Sequence, residues 1–242
     1  MIHSHFTRDL WLEKYLKVTC YKFNGNEPYD FSFDVIEDYP EKPFFLTYKI
    51  PLSVSYQKVP NFSLLKEVNI QNSYLLKHNV FFPSPKEHYI VRIANPGDHD
   101  AILGISSGSF SLSRFHTDSE IGYQLAESIK REWVFSNLTS RENVENYVIC
   151  NSSFSDFPLG FMSCLITDYC LTIDLIAVDK NHRSRGLGRT LVEYAVEQGN
   201  LRKLKIKVGT QEANPANSLY ASIGFQIETQ SRVLHYLHKG TL

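Results

Sequence analysis

Lys180-Asn181-His182-Arg183-Ser184-Arg185-Gly186-Leu187-Gly188 is the stretch on which the reading of this chain turns. Ahead of it, Leu171, Ile173, Leu175 and Ala177 alternate with Thr172, Asp174, Ile176 and Val178, which predicts a strand apolar at nearly every position and therefore central in a sheet. Behind it, Leu187, Leu191, Val192, Ala195 and Val196 recur at helical spacing. Strand and helix are thus joined by a basic glycine turn. Gly186 and Gly188 allow a tight turn and a close approach to a ligand, and the helix starts with free N–H groups and the positive end of its dipole. With Arg183, Arg185 and Arg189 alongside, the turn reads as an anion site. A Walker loop would need Lys-Ser/Thr after the last glycine, and a dinucleotide fingerprint a third small residue where Leu191 stands, so neither applies. Taken alone, the turn is equally compatible with a solvated basic surface.

The residues that follow change that balance. Lys203-Leu204-Lys205-Ile206-Lys207-Val208 alternates strictly and predicts a strand. Next, Asn214 before Pro215 reads as the cap of a short helix and Gly224 as its end. Arg183-x-x-Gly186-x-Gly188 after one strand, with Leu219-Tyr220-x-x-x-Gly224-Phe225 after the next, resembles the acyl-CoA binding core of the GCN5-related N-acetyltransferases. The resemblance implies an α/β (α+β) fold with a central mixed, mostly antiparallel sheet flanked by helices. It also implies acetyl-CoA as co-substrate, and no metal.

Composition sets the outer bounds. The 242 residues carry 43% hydrophobic and 13% aromatic side chains, enough for a substantial core. Lys+Arg 25 against Asp+Glu 26 gives a formal charge of -1, which makes no electrostatic case for nucleic-acid or membrane binding. No apolar run reaches the roughly 20 residues of a membrane span, and the first residues lack the apolar run of a signal peptide, so a cytoplasmic location is expected. Cys20, Cys150, Cys164 and Cys170 lack zinc or redox spacing and are expected to be buried thiols; a Cys164 to Cys170 bridge is disfavoured in a reducing compartment.

Two parts are expected along the chain. Residues 1–85 suggest a smaller β-rich N-terminal subdomain, with strands over 12–21 and 43–50, a turn at Asn24-Gly25-Asn26-Glu27-Pro28 and strand-like fragments over 58–77. Pro83-Ser84-Pro85 punctuates its end. A degenerate second copy of the acetyltransferase fold in this part is an alternative that the letters leave open. Residues 86–242 read as strand, two helices, three strands, helix, strand, helix, strand, which is the acetyltransferase order.

Between the first two of those helices lies Arg114-Phe115-His116-Thr117-Asp118, a loop offering a cation for phosphate or carboxylate, an aromatic face, and two groups able to move protons. Spacing alone favours a structural loop, with Phe115 packed, Arg114 and Asp118 solvated and His116 satisfying a loop carbonyl, over a functional one. This loop, Glu132-Trp133-x-x-x-Asn137 and Val208-Gly209-Thr210-Gln211 resemble the bacterial TDP-fucosamine acetyltransferases. That likeness implies transfer of an acetyl group to the amine of a TDP-linked 4-amino-4,6-dideoxy sugar.

Roles follow from the resemblance. Tyr220 would protonate the departing thiolate, and the backbone of Ile176, Ala177 and Val178 would meet the thioester oxygen. The backbone of Arg185, Gly186, Leu187, Gly188, Arg189 and Thr190, with Arg183, would take the phosphates of the cofactor, and Asn214 its pantetheine arm or phosphates. Asn214 stands six residues before Tyr220 where the family has seven, so Asn217 competes for that role. Arg114, Phe115, Asp174 and His235 are expected on the sugar-nucleotide side. His116 leads the candidates for the base, followed by Asp118, His235, Asp174 or a water chain. Acetylation of a protein N-terminus or lysine, and a non-catalytic CoA-binding regulatory protein, are the competing functions, and a homodimer is among the states left open.

Overall fold

In the computed structural model, residues 6–23, 42–54, 64–77, 80, 82, 88–152 and 155–239 are described. The turn expected at 24–28 and the punctuation at 83–85 lie outside them. The elements run β1 (Phe6–Arg8), α1 (Leu10–Leu16), β2 (Thr19–Phe23), β3 (Phe44–Pro51), β4 (Lys66–Leu76), β5 (Tyr89–Ile93), α2 (His99–Ser106), α3 (Tyr123–Thr139), β6 (Val144–Asn151), β7 (Ser155–Ile166), β8 (Cys170–Val178), α4 (Leu187–Leu201), β9 (Lys205–Gln211), α5 (Ala216–Ile223) and β10 (Phe225–His238). From β5 onward this is the order expected from the sequence.

The ten strands among the described residues form one sheet, ordered β1-β2-β3-β10-β4-β9-β8-β7-β6-β5. The pairs β2–β3 and β8–β9 are parallel, and the other described pairs are antiparallel. The sheet therefore continues across the boundary expected near residue 85. β10 pairs with β3 on one side and with β4 on the other, so each of its two edges is satisfied by a strand from the first 85 residues.

One expectation for the N-terminal part is corrected. Residues 12–21 are not a single strand: Asp9 accepts a hydrogen bond from the Leu12 N–H and caps helix α1, which ends at Lys17 in the left-handed region (φ 59). Trp11 with Tyr15 and Leu12 with Leu16 stand four apart, a helical spacing, and only from Val18 onward do β-branched residues favour extension.

The central strand departs from simple alternation at one point. Between β7 and β8, Cys164 pairs with Ile173 but Ser163 with Leu175, so Asp174 is an extra residue, a β-bulge. The consequence is visible in the packing. Leu171 and Ile173 join the core under α4 and α5, whereas Leu175 and Ala177 join the core under α2 and α3. Without the bulge all four would face one side.

No helix among the described residues is long and apolar enough to cross a membrane. The four cysteines are free thiols, Cys20, Cys150 and Cys164 buried and Cys170 half-buried.

Candidate active site

The glycine turn is built by backbone geometry that the sequence anticipates. Asp179 caps a 3-10 turn over Lys180–His182, accepting from the Asn181 N–H at 2.9 Å. Ser184 (φ 62) and Gly186 (φ 86) then curl the chain into α4. Gly186 holds the helix N-cap without a side-chain cap, so the amides of Leu187, Gly188 and Arg189 have no acceptor among the described residues. Thr190 is a correction: its N–H and hydroxyl are both given to Gly186 O, at 3.0 and 3.3 Å, and its amide is not available to a phosphate. A Cβ at Gly188 would only touch Leu219 and Val178 at 3.8 and 3.9 Å, so the protein itself tolerates a side chain there. Arg183 and Arg185 are exposed, each anchored to a backbone carbonyl (Val178 O and Asn181 O). Arg189 is drawn to Glu193 and to Ser222 Oγ, which ties α4 to α5.

Beside this turn the sheet opens. β8 and β9 are paired from Cys170 to Ile173 only, and beyond the Asp174 bulge they separate. Asp179 N donates toward β7, to Leu159 O. Because successive strand amides alternate in direction, Ala177 N also points to β7, while those of Ile176 and Val178 point into the opening. The expected trio thus reduces to two outward amides.

On the α3 side of the opening lies a cavity of about 1060 Å³. Its floor is polar, with Thr47 and Lys49 on β3, Asn69, Gln71 and Ser73 on β4, and Thr229 and Ser231 on β10. Trp133 and Lys130 of α3, with Ser113, Arg114 and Phe115 of the α2–α3 loop, also line it. Asp174 enters from the bulge. Its Oδ2 accepts from Trp133 Nε1 at 2.9 Å and from Asn137 Nδ2 at 2.8 Å, with Arg141 Nη1 at 3.7 Å. Oδ1 has no donor among the described residues. Two of the motif residues seen in the sequence, Trp133 and Asn137, therefore orient the carboxylate of a third.

Tyr220 is buried on α5, its ring 5.8 Å from Tyr74 and 6.0 Å from Phe225. Burial, helped by the neighbouring Tyr74, pushes its phenol far above the usual range, and none of the hydrogen bonds among the described residues involves its hydroxyl. Such a group stays protonated and can donate. Asn217, by contrast, is fully engaged. Its amide nitrogen donates to Gln211, Glu212 and Asn214 carbonyls, and its Oδ1 accepts from Tyr74 and Asn72. Asn214 Oδ1 accepts from the Ala216 N–H at 2.9 Å and starts α5.

The leading base candidate has another task. His116 Nδ1 is 2.8 Å from Ser113 Oγ and its Nε2 2.8 Å from Glu127 Oε1, with both ring nitrogens used and no place in the cavity lining. Asp118 and His235 are bound to each other at 2.7 Å, both buried, with Lys66 3.4 Å from Asp118. Phe45 and Phe115 pack around the His235 ring, and neither member of the pair lines the cavity. Of the four base candidates, Asp174 alone reaches it.

Lys49, Tyr74 and Lys130 are cavity residues that the sequence reading passes over. Only β4 carried a signal: Asn69, Gln71 and Ser73 alternate with Val68, Ile70 and Asn72, a polar face on a strand that proves central.

A helix start that offers amides on one side of a parted strand pair, and a cavity on the other, define an acyltransferase frame of the GNAT type. Residues 143–227 match the family described as "Acetyltransferase (GNAT) domain", and this part of the chain is a GNAT domain. Among curated proteins, the chain is 29% identical over 147 residues to the spore coat polysaccharide biosynthesis protein SpsD of Bacillus subtilis (strain 168), covering 60% of this chain. It spans about half of that relative, 49% of its length. Among solved structures, a GCN5-related N-acetyltransferase from Kribbella flavida superposes with a TM-score of 0.60 at 12% identity, covering 90% of this chain and 81% of its own. Another, from Sphaerobacter thermophilus, gives 0.58 at 14% identity, covering 84% and 62%. These likenesses establish the fold.

Proposed function

We propose that this chain transfers the acetyl group of acetyl-CoA to the amine of a nucleotide-linked sugar, with a TDP-linked 4-amino-4,6-dideoxy sugar as the expected acceptor. The observation that carries the reading is the Asp174 carboxylate, held by Trp133 and Asn137 with Oδ1 free, in a cavity that adjoins the parting of β8 and β9. A relative named for spore coat polysaccharide biosynthesis supports a sugar-linked acceptor.

The residues fit acetyl-CoA on the donor side. Free amides of Leu187, Gly188 and Arg189, with Arg183 and Arg185 nearby, suit a diphosphate. When bound, the thioester supplies an electrophilic carbonyl carbon. The outward N–H groups of Ile176 and Val178 are suited to hold its oxygen as charge develops there. Asp174 accepts the proton that the sugar ammonium must lose to become a nucleophile, and Tyr220 donates one to the departing sulfur. Neither proton transfer requires a metal ligand from the protein.

The cavity argues against the two rival readings. A site for protein N-termini or lysines would be acidic, whereas this lining carries Lys22, Lys49, Arg114, Lys130 and Lys207 against Asp174 and Glu228. A CoA-binding regulatory protein has no use for a carboxylate that Trp133 and Asn137 orient in the cavity. Incubation with acetyl-CoA and a panel of TDP-4-amino sugars, read by mass spectrometry, tests the proposal. Gain of one acetyl group on a sugar is expected; consumption of acetyl-CoA with every sugar unmodified would overturn it.

A further inference from the structure

The positive charge in the cavity is only partly balanced. Lys22 meets Asp9 at 2.8 Å and Lys207 meets Glu228 at 2.7 Å. Lys49, Arg114 and Lys130 have no carboxylate within ion-pair distance among the described residues, and neutral groups hold them. Lys49 donates to Gln71 Oε1 at 2.8 Å, and Arg114 donates to Thr47 Oγ1 at 3.0 Å with its guanidinium 4.5 Å from the Phe115 ring centre. The Lys130 ammonium lies over Trp133 at 4.4 Å and Phe110 at 5.3 Å.

The three come from separate elements, β3, the α2–α3 loop and α3, yet line one cavity. Desolvation by the surrounding cavity walls, with the Arg114 charge nearby, pushes the Lys49 ammonium down to about 8, although the residue keeps an exposed surface. Burial likewise pushes Lys130 down to about 8, against the pull of Asp174. Like charges gathered without counterions raise the energy of the site, and an anion of two or more charges relieves it. Asp174 repels that anion, so the anionic end of a ligand and its amine belong at different ends of the cavity. Lys130 and Trp133 stand one turn apart on the same face of α3, about 4.5 Å along the axis, a span comparable to one sugar ring. Trp133 is the residue that grips Asp174.

We infer that Lys49, Arg114 and Lys130 bind the diphosphate of the acyl acceptor, with the amino sugar extending from it to Asp174. The identity of the acceptor rests on the function proposed above; the diphosphate site itself does not. Two cations of this clamp lie in the α2–α3 segment and one in β3, so the strands of the first 85 residues contribute to acceptor recognition as well as to the sheet.

Because CoA also carries a diphosphate, the test uses protein saturated with CoA. Calorimetric titration with thymidine diphosphate should show saturable binding that weakens as salt rises, and thymidine, which lacks phosphate, should bind at least tenfold more weakly. Arg114→Gln, Lys130→Gln and Lys49→Gln should each weaken thymidine diphosphate tenfold or more. Arg202→Gln, which removes a cation paired with Glu145 outside the cavity, should not change it. Equal affinity for thymidine, no binding once CoA is present, or unchanged affinity in folded Lys49→Gln protein would each overturn the assignment. The thymidine comparison needs no variant and stands even if substitutions impair folding. Diphosphate binding without acetylation of any amino sugar would sink the proposed reaction and leave this site intact, whereas equally efficient acetylation of phosphate-free amino sugars would sink the site alone.

Discussion

Trp133 gives its indole N–H to Asp174 across 2.9 Å and 41 residues of chain. The bond fastens helix α3 to the bulge of β8, where the sheet begins to part, and turns the carboxylate toward the cavity. Asn137, one turn further along α3, adds the second donor at 2.8 Å.

Asp174→Asn keeps the size of the side chain and removes its basicity. Turnover of the amino-sugar nucleotide should fall about 100-fold or more at neutral pH, the usual loss for a general base, with acetyl-CoA affinity unchanged. Steady-state rates and a direct CoA titration check both halves; a full rate in the variant would return the role to solvent.

Tyr220→Phe removes a hydroxyl that bonds to nothing among the described residues and keeps the ring against Tyr74 and Phe225. The expected outcome is a fall in kcat of about tenfold or more with stability unaltered. Rapid-mixing kinetics beside a thermal melt separates this from a packing defect, which would lower the melting temperature first.

Gly186 sits at φ 86 at the start of α4. Gly186→Glu forces a side chain into the left-handed region, costing about 1–2 kcal/mol locally, and brings a carboxylate to the phosphate side. Acetyl-CoA binding should be lost in calorimetry while the protein stays folded, and retained affinity would move the phosphate site elsewhere.

The buried His235–Asp118 pair should make stability depend on pH. Burial lowers the His235 imidazole to about 4, the Asp118 bond only partly opposing it, so the folded protein keeps the ring neutral where the unfolded chain, near 6.5, would protonate it. The unfolded state therefore binds more protons between those values, and stability falls as pH drops from 6.5 toward 4, by on the order of 3 kcal/mol. Asp118, held low chiefly by the His235 hydrogen bond against its burial, adds loss of the same sign at still lower pH. Urea unfolding at pH 7 and pH 4.5 should show the drop, and His235→Phe should flatten it.

Local rules reach a long way into this chain. Gly186 and Gly224 take the positive φ values that only glycine adopts freely, the apolar spacing of Leu187, Leu191, Val192, Ala195 and Val196 does form the buried stripe of α4, and the order of elements after residue 88 follows from period and punctuation. These features depend on neighbours a few residues away, so the sequence alone determined them. The same locality misled at residues 12–21, where aromatic content outweighed a cap at Asp9 and helical spacing.

Only the tertiary structure decided which carboxylate or imidazole faces the cavity. His116, Asp118, His235 and Asp174 are indistinguishable as letters; three are consumed by Glu127, by each other and by burial, and the fourth is turned outward by a bulge that no periodicity reveals. The insertion of β10 between β3 and β4 likewise brings Lys49 to within the cavity shared by Arg114 and Lys130. Charge and hydrogen bonding act through space: the partners of Asp118 and Asp174 lie 117 and 41 residues away, where no local pattern of the chain records them.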